Sequence, residues 1–458
     1  MTQQVPTLNV SDYINKEYKE YSLHTITNRA IPLLFDGLKV VQRKTLYTAI
    51  KECSKKEVKV STLGGLLPKI GAYHHGSASA EDAITKMAQD FNNNVTLIEG
   101  IGSFGSRPVP VASAARYIHA KLSENYHLYF TDNDVLPQSL DKEDHPEPIC
   151  YLPLIPFSLV NGADGIAVGA ATKILPRSPR DVATACKEYL ENGTITSELK
   201  PHVDGFRGKF KKGETQGKYI ISGTISRVGT TGSQLKITEV PLGTRHEKFV
   251  ERLDNMRMNG EPIFTSYVDD TDDKFDFSLK LSKYGKSLTD EQIIKKLKLE
   301  ETYVENLMLI VFDDMSKIPD DTTEYALRRY ESPHEIVRDF VDFRIIFFDE
   351  RIRFNIERVT NELDDLDNRI KFVESVVDGT FTLKNKTRKQ MIDELKKSYG
   401  LEYAEKFVNI ALYSFSKDNI QKMKKRVTEL KKELKYWQGC NAKDLFVEDL
   451  VALIDKIT

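Results

Sequence analysis

The sequence predicts a multidomain α+β protein, and three observations lead there. The last third carries two heptad seams, the middle third reads as short β-like runs broken by glycine turns, and the first third is short helices with one basic face. At 458 residues the chain is too long for a single hydrophobic core, and two to four domains are expected.

In the first third, Lys39 to Lys51 splits on a 3.6-residue period into an apolar arc (Val41, Thr45, Leu46, Ala49) and a basic arc (Lys39, Arg43, Lys44, Lys51). Ser79 to Asn92 reads as a second helix, with Ser79 and Asp82 as its capping pair and Ile84, Met87, Ala88 and Phe91 inward. Short helices with one basic face suit a helix-turn-helix or winged-helix reader of DNA. Between Ala114 and Leu122 the same period places Ala115, Ile118 and Leu122 on an apolar stripe. Tyr117 falls nearly opposite, flanked by Arg116 and, one turn on, Lys121. A phenol held off the core between two cations suits attack on a phosphodiester, because the cations neutralise charge that builds in the transition state. An exposed tyrosine beside basic residues is also an ordinary surface feature, so the nonapeptide alone leaves both readings open.

In the middle third, about 165 to 330, Lys218-Tyr-Ile-Ile-Ser and Gln234-Leu-Lys-Ile-Thr read as strands. Glu247 to Met256 and Asp290 to Leu299 read as helices, giving an α+β domain. In the last third, Ser332-Pro333-His334-Glu335 has the composition of a capped helix start. Ile352, Ile356, Val359, Leu363, Leu366, Ile370, Val373 and Val377 then alternate spacings of four and three, closing near Gly379. Ile420, Met423, Val427, Leu430, Leu434 and Trp437 repeat the pattern, which predicts an antiparallel coiled-coil hairpin with a small knob between the seams.

Composition excludes several classes. The formal net charge is −2 with 29% charged residues, so any nucleic-acid surface is local rather than global. Cys53, Cys150, Cys186 and Cys440 are scattered, which indicates neither a disulfide framework nor a zinc site. The start, Met1-Thr-Gln-Gln-Val-Pro, lacks the basic and apolar regions of a signal peptide, and no run is long enough to span a membrane. The expected address is the cytosol, in association with the nucleoid. Gly100-Ile-Gly-Ser-Phe-Gly105 matches a dinucleotide motif, but Pro108 and Pro110 forbid the helix that must open there. Gly285-Lys286-Ser287 lacks the upstream glycine of a phosphate loop, where Lys280 stands instead. The acidic groups at Asp132 and Asp134 and at Asp269 to Asp273 lack EF-hand spacing, and His74-His75 has no metal-ligand partners nearby.

Seven segments, taken in order, resemble the DNA breakage-reunion subunit of type IIA topoisomerases. They are Asn28-Arg-Ala-Ile-Pro, Asp36-Gly-Leu-Lys…Gln42-Arg-Lys, Ala72-Tyr-His-His-Gly76, Gly102-Ser-Phe-Gly-Ser-Arg107, Ala114-Ala-Arg-Tyr-Ile118, Tyr151-Leu-Pro-Leu-Ile-Pro156 and Val160-Asn-Gly-Ala-Asp-Gly-Ile166. Phe206-Arg-Gly, Thr238-Glu-Val-Pro and the heptad hairpin extend the resemblance to nearly the whole chain. It implies an N-terminal arm (1–26), a winged-helix breakage-reunion domain (27–150) and an α/β tower domain (151–330). A long antiparallel coiled coil follows (332–378, returning with the tail over 416–458), with a small helical dimer gate at 379–415.

The resemblance also implies that Tyr117 forms a transient 5′-phosphotyrosine bond with DNA, assisted by Arg116. Arg29, Lys39, Arg43, His74 and His75 match positions that hold the phosphodiester, Lys44 joins them from the basic arc, and Ile174 matches an intercalating wedge. The implied partners are double-stranded DNA, a second copy of the chain through the segment near 380–415, and a separate ATPase polypeptide. That polypeptide carries both ATP and the acids that bind Mg²⁺, leaving no metal site in this chain and no membrane contact. Val40, where the family has proline, and Lys173, where uncharged residues are usual, depart from the pattern. The alternative is a non-catalytic architectural or winged-helix regulatory protein dimerised by its coiled coil.

Overall fold

The computed structural model describes residues 9–229, 232–260, 263–382 and 386–457. The chain start at Met1 to Pro6, three residues of the 379–415 segment and Thr458 lie outside the described residues. Two compact units emerge, Met1–Arg344 with Val447–Thr458, and Ile345–Phe446. The expected mixed, multidomain character is what the structure has.

In the first unit a helical stretch from Val10 to Ala30, alternating α and π turns, leads into helices Val40–Glu52, Val60–Ile70 and Ser77–Ala88. These helices pack with a three-stranded antiparallel sheet of β1 (Val58–Lys59), β2 (Ile98–Ile101) and β3 (His119–Leu122), in the order β1-β3-β2. Leu46, Ala49, Leu63, Leu67, Ile84, Ile98, Ile118 and Ala120 are fully buried and form the core that fixes the arrangement.

Two local expectations are corrected. Residues 114–122 are not helical: Ala115 to Tyr117 form a turn and β3 follows. The spacing from Ile118 to Leu122 fits one helical turn and also two strand repeats. Ala120, buried between them, decides for the strand, because β3 pairs with both neighbours and satisfies its backbone there. Lys121 therefore faces Glu99 across the sheet, 4.0 Å away, rather than standing a helical turn above Tyr117. The helix expected at Ser79 starts at Ser77 behind Gly76, with no side-chain cap. Ser79 and Asp82 have other partners, the Tyr73 hydroxyl (2.9 Å) and Lys86 (2.7 Å).

Next come a hairpin of β4 (Ala163–Ile166) and β5 (Ala171–Ile174) and the helix Pro179–Asn192, opened by Ser178 and closed by Gly193 at φ +70°. The following strands are β6 (Lys209–Lys212), β7 (Lys218–Ser222), β8 (Thr224–Val228), β9 (Gln234–Glu239), β10 (Phe264–Asp269), β11 (Phe277–Leu281) and β12 (Glu300–Val304). They form two antiparallel sheets in the orders β12-β7-β6 and β10-β11-β9-β8. Both strands read from the sequence are there as β7 and β9, and both helices as His246–Met258 and Asp290–Lys296. Leu235, Ile237, Phe249, Leu253, Phe277, Leu279 and Ile293 make the core of the larger sheet.

β13 (Leu307–Phe312) pairs with β14 (Tyr325–Tyr330) and also reaches back to the start of the unit. The Ile310 amide donates to the Pro32 carbonyl (3.1 Å) and the Leu34 amide to Ile310 (2.8 Å), while Asn306 and Lys173 exchange two backbone bonds of 2.9 Å. A 45-residue helix, Pro333–Val377, begins in this unit, where Ile336, Val337, Phe340 and Val341 are buried.

The second unit contains the rest of that helix, helices Arg388–Tyr399 and Leu401–Val408, and the return helix Lys417–Gly439. Ion pairs Arg358–Glu433 (2.6 Å), Glu362–Arg426 (2.9 Å) and Glu374–Lys424 (2.7 Å) set the two long helices antiparallel. Val359, Leu363, Ile370, Val373, Met423, Val427 and Leu430, all from the two seams, are buried together. Phe372, Leu395, Ala404 and Phe407 join them and pack the intervening helices onto the pair. Among the described residues, no helix is long and apolar enough to cross a membrane.

Candidate active site

Tyr117 ends a turn whose backbone caps a helix. The Ser61 amide donates to Ala115 (3.1 Å) and the Val60 amide to Ile118 (3.0 Å), so two donors at the start of helix Val60–Ile70, which lack partners within that helix, hold both sides of the turn. The Tyr117 amide closes the turn on Ala114 (2.8 Å). With its backbone so fixed, the Tyr117 side chain is 68% exposed, while neighbouring Ile118 is buried and anchors the segment. The Arg116 guanidinium lies over the Tyr117 ring, 4.9 Å from its centre.

Arg29, Lys39, Gln42, Tyr73, His75 and Lys86 line a cleft of about 470 Å³. Lys39 donates to the Asp164 carbonyl (2.6 Å). Burial pulls the Lys39 ammonium below its ordinary range, Asp164 opposes this and Lys86 adds to it. The His75 ring sits edge-on to Tyr73 at 4.9 Å, and exposed His74 lies 3.5 Å from Asp144. Arg29, Lys39 and His75 are thus brought together, and Tyr117 does not line their cleft.

Three expected site residues have other roles. Arg43 is buried against Asp36, with Nε 2.7 Å and Nη2 3.2 Å from the carboxylate, and Nη2 also reaches the Leu38 carbonyl. Burial works against its charge and Asp36 more than offsets that, so the guanidinium is held above its ordinary value. Asp36 also accepts from the Leu38 and Tyr151 amides. Lys44 is likewise buried, bonded to Glu147 (3.0 Å) and the Asp144 carbonyl (2.9 Å). Neither residue is free to meet a phosphate. A helical-period reading counts charged positions as solvent-facing; their acidic partners lie outside the helix, Glu147 more than a hundred residues away, and carry no periodic signal.

Ile174 is the third. It is only 2% exposed, on the same face of β5 as buried Thr172, while Lys173 turns outward and lies over the Tyr303 ring at 4.0 Å. The exposed apolar residue of this hairpin is Ile166, at 84%, where β4 enters a turn closed by the Ala167–Ala170 bond. The hairpin is seated closely. A Cβ on Gly165 would stand 2.0 Å from the Ala30 carbonyl oxygen, so only glycine lets the strand approach there. Next to its second strand, buried Arg177 forms a two-point pair with Glu305 (2.6 and 2.7 Å), and Glu305 also accepts from the Leu175 amide (2.8 Å). Sequence reasoning did not find this pair.

The acidic groups do not fit a magnesium site. Asp132 is engaged by Arg344 and Asp269 by His246 (2.6 Å), and among the described residues no three His, Cys, Asp or Glu side chains converge.

Residues 29–452 match the family model for the A-subunits of DNA gyrase and topoisomerase IV. The chain belongs to this family. Its relatives differ greatly in length. It is 32% identical to the DNA topoisomerase medium subunit of Enterobacteria phage T4, over 98% of this chain and 99% of that one. It is also 32% identical to DNA topoisomerase 2 of Arabidopsis thaliana, over 86% of this chain but only 27% of that protein. Among solved structures, the DNA-binding, cleavage and re-ligation domain of Plasmodium falciparum topoisomerase II superposes with a TM-score of 0.85 at 25% identity. That match covers 98% of this chain and 64% of the other.

Proposed function

We propose that this chain is the DNA cleavage-religation subunit of an ATP-dependent type IIA DNA topoisomerase, an isomerase, with Tyr117 as its nucleophile. The observation that carries the assignment of Tyr117 is an exposed phenol on a turn locked to a helix start, with a guanidinium over its ring. Attack of the Tyr117 oxygen on a DNA phosphodiester joins the phenol to the 5′-phosphate and releases a 3′-hydroxyl end. The bond energy is kept in the ester, so religation needs no further input. Arg116 stabilises charge on the phosphoryl oxygens as they pass through the transition state. Arg29, Lys39, His74 and His75 hold the flanking backbone, and the fixed turn spares Tyr117 the cost of ordering at each turnover.

Under this reading, residues 27–150 are the winged-helix domain, 151–330 the tower, and 332–378 with 416–458 the coiled coil, while 379–415 is the dimer gate through which two copies supply two tyrosines. The wedge passes from Ile174 to Ile166, the apolar side chain that hairpin β4-β5 presents outward. Type II topoisomerases use Mg²⁺ and ATP, and we assign both to a separate partner polypeptide; the end-to-end likeness to a protein named as the medium subunit of a topoisomerase supports that division. Work in a phage-infected cell, at the nucleoid, fits the likeness to the T4 protein.

The test is covalent. With the partner polypeptide, Mg²⁺ and ATP, a 3′-labelled duplex becomes attached to the wild-type chain after denaturation. Tyr117→Phe, which removes only the exposed hydroxyl, abolishes the adduct and leaves duplex affinity and melting temperature unchanged. An adduct persisting in Tyr117→Phe, or none with wild type, overturns the assignment; the latter favours a non-catalytic DNA-binding protein.

A further inference from the structure

Three sequence motifs that the cleavage chemistry leaves unused meet at one point. Gly102-Ser-Phe-Gly-Ser-Arg107 leaves β2 as a closed loop that returns to the Tyr117 turn. The Ser113 amide bonds the Ser103 carbonyl and the Ser106 amide bonds Val109, each at 2.9 Å. Gly105 (φ +85°) permits the loop's tightest point, where a Cβ would lie 2.8 Å from the Val109 oxygen. Buried Gln89 pins the inner side by donating to the Phe104 carbonyl (2.8 Å).

The outer side is held by Arg107. Its Nη2 lies 2.7 Å from Glu239 Oε1 and 2.7 Å from the Val240 carbonyl, and its Nε lies 3.2 Å from the same carboxylate. The guanidinium stacks over Phe206 at 4.8 Å and Phe275 at 5.6 Å. Glu239, at the end of β9 in the Thr238-Glu-Val-Pro segment, is only 2% exposed and also accepts from the Arg207 amide (3.1 Å) of the Phe206-Arg-Gly segment. A second bond, from the His246 amide to the Pro108 carbonyl (3.1 Å), joins the same loop to the same sheet region.

We propose that Arg107 is a positioning residue for DNA cleavage: clamped on Glu239 and lying over the rings of Phe206 and Phe275, it holds the loop that delivers Tyr117 in register with the larger middle sheet. This rests on the reading of Tyr117 as the nucleophile. A planar guanidinium that gives two N–H bonds to one carboxylate oxygen and a third to the Val240 carbonyl while lying over two rings fixes orientation, which a lysine in its place does only in part. Because Tyr117 lies ten residues downstream on a short closed segment, a displaced loop moves the phenol. Misplacement by about 1 Å is worth on the order of 100-fold in rate.

Arg107→Ala alone strands a buried carboxylate, so the informative variant is Arg107→Met with Glu239→Gln, which keeps volume and removes both charges. The full chain is assayed with its partner polypeptide on the 3′-labelled duplex. The expected result is adduct formation slowed at least 10-fold at saturating DNA, with duplex affinity within 2-fold of wild type and an unchanged melting temperature. Arg107→Lys, which keeps the charge opposite Glu239, recovers part of the rate. Unchanged adduct formation in the double variant, where Tyr117→Phe abolishes it, overturns the positioning role and leaves the nucleophile standing. Rate, affinity and melting temperature falling together also overturn it, since Arg107 then only supports the fold. An adduct that survives Tyr117→Phe marks the failure of the nucleophile reading instead.

Discussion

Ile166 and Ile174 stand on one hairpin, and truncating each to alanine has opposite expected consequences. Ile174 is packed at the base of the hairpin with 2% exposure, so Ile174→Ala loses about 2–5 kcal/mol through lost burial and the cavity left behind. With about 2.1 cal/mol/K of unfolding entropy per residue, a unit of about 350 residues loses about 1.3 °C per kcal/mol. Ile174→Ala is therefore expected to melt about 3–7 °C early. Ile166 is 84% exposed, and its truncation changes stability by less than about 0.5 kcal/mol, below 1 °C. On DNA the order reverses. Wedging apart one base step costs a few kcal/mol and is repaid by contact with the bent duplex. Losing about 1.4–2.8 kcal/mol of wedge contact lowers the bent population, and with it cleavage, about 10- to 100-fold. Energy transfer between dyes at the two duplex ends reads the bend, and the 3′-labelled adduct reads cleavage. An Ile166→Ala chain that bends and cleaves DNA normally refutes the wedge. An Ile174→Ala chain that melts with wild type refutes the burial argument.

The cations divide in the same way. Arg29→Ala and Lys39→Ala are each expected to shallow the salt dependence of duplex binding by about 0.9 in log–log slope, measured by titration at several salt concentrations. Arg43→Ala instead leaves Asp36 charged and buried and costs about 3–5 kcal/mol of stability, read as early melting before any change in slope. Glu188 accepts hydrogen bonds from the Ser197 hydroxyl and from the Ser197 and Thr196 amides, which lower its carboxyl to about 2. A depressed folded value stabilises above the unfolded one and loses that stability as pH falls. The melting gap between wild type and Glu188→Gln is therefore constant above pH about 4.5 and closes as pH drops toward 2. Tyr413 is 72% exposed in the 379–415 segment, and under the proposed dimerisation through that segment a charge there opposes self-association. Tyr413→Asp is expected to sediment as a monomer where wild type is a dimer, and an unchanged dimer moves the interface elsewhere.

Much is legible in the sequence because it is periodic or local. The heptad seams predict the paired long helices, since residues spaced four and three apart on a helix form one stripe and must be covered. β-branched runs between glycine turns predict β7 and β9, and the ordered motifs predict the family. Tyr117 is singled out by its neighbours in sequence, and the exposure that suits a nucleophile comes from the turn the fold builds around it. What the tertiary structure alone decides depends on partners far along the chain. Arg43 and Lys44 read as a basic face until Asp36 and Glu147 take them inward. The four-residue spacing from Ile118 to Leu122 serves a helix and a strand equally until β1 and β2 supply hydrogen bonds on both sides. Ile174 and Ile166 are equally apolar in sequence, and β4-β5 pairing over Ala30 chooses which one to bury. The meeting of Arg107, Phe206 and Glu239 spans more than a hundred residues and follows no period. A short-range pattern records which face of an element is apolar; which charge is neutralised and which side chain is left bare is fixed only when distant segments pack together.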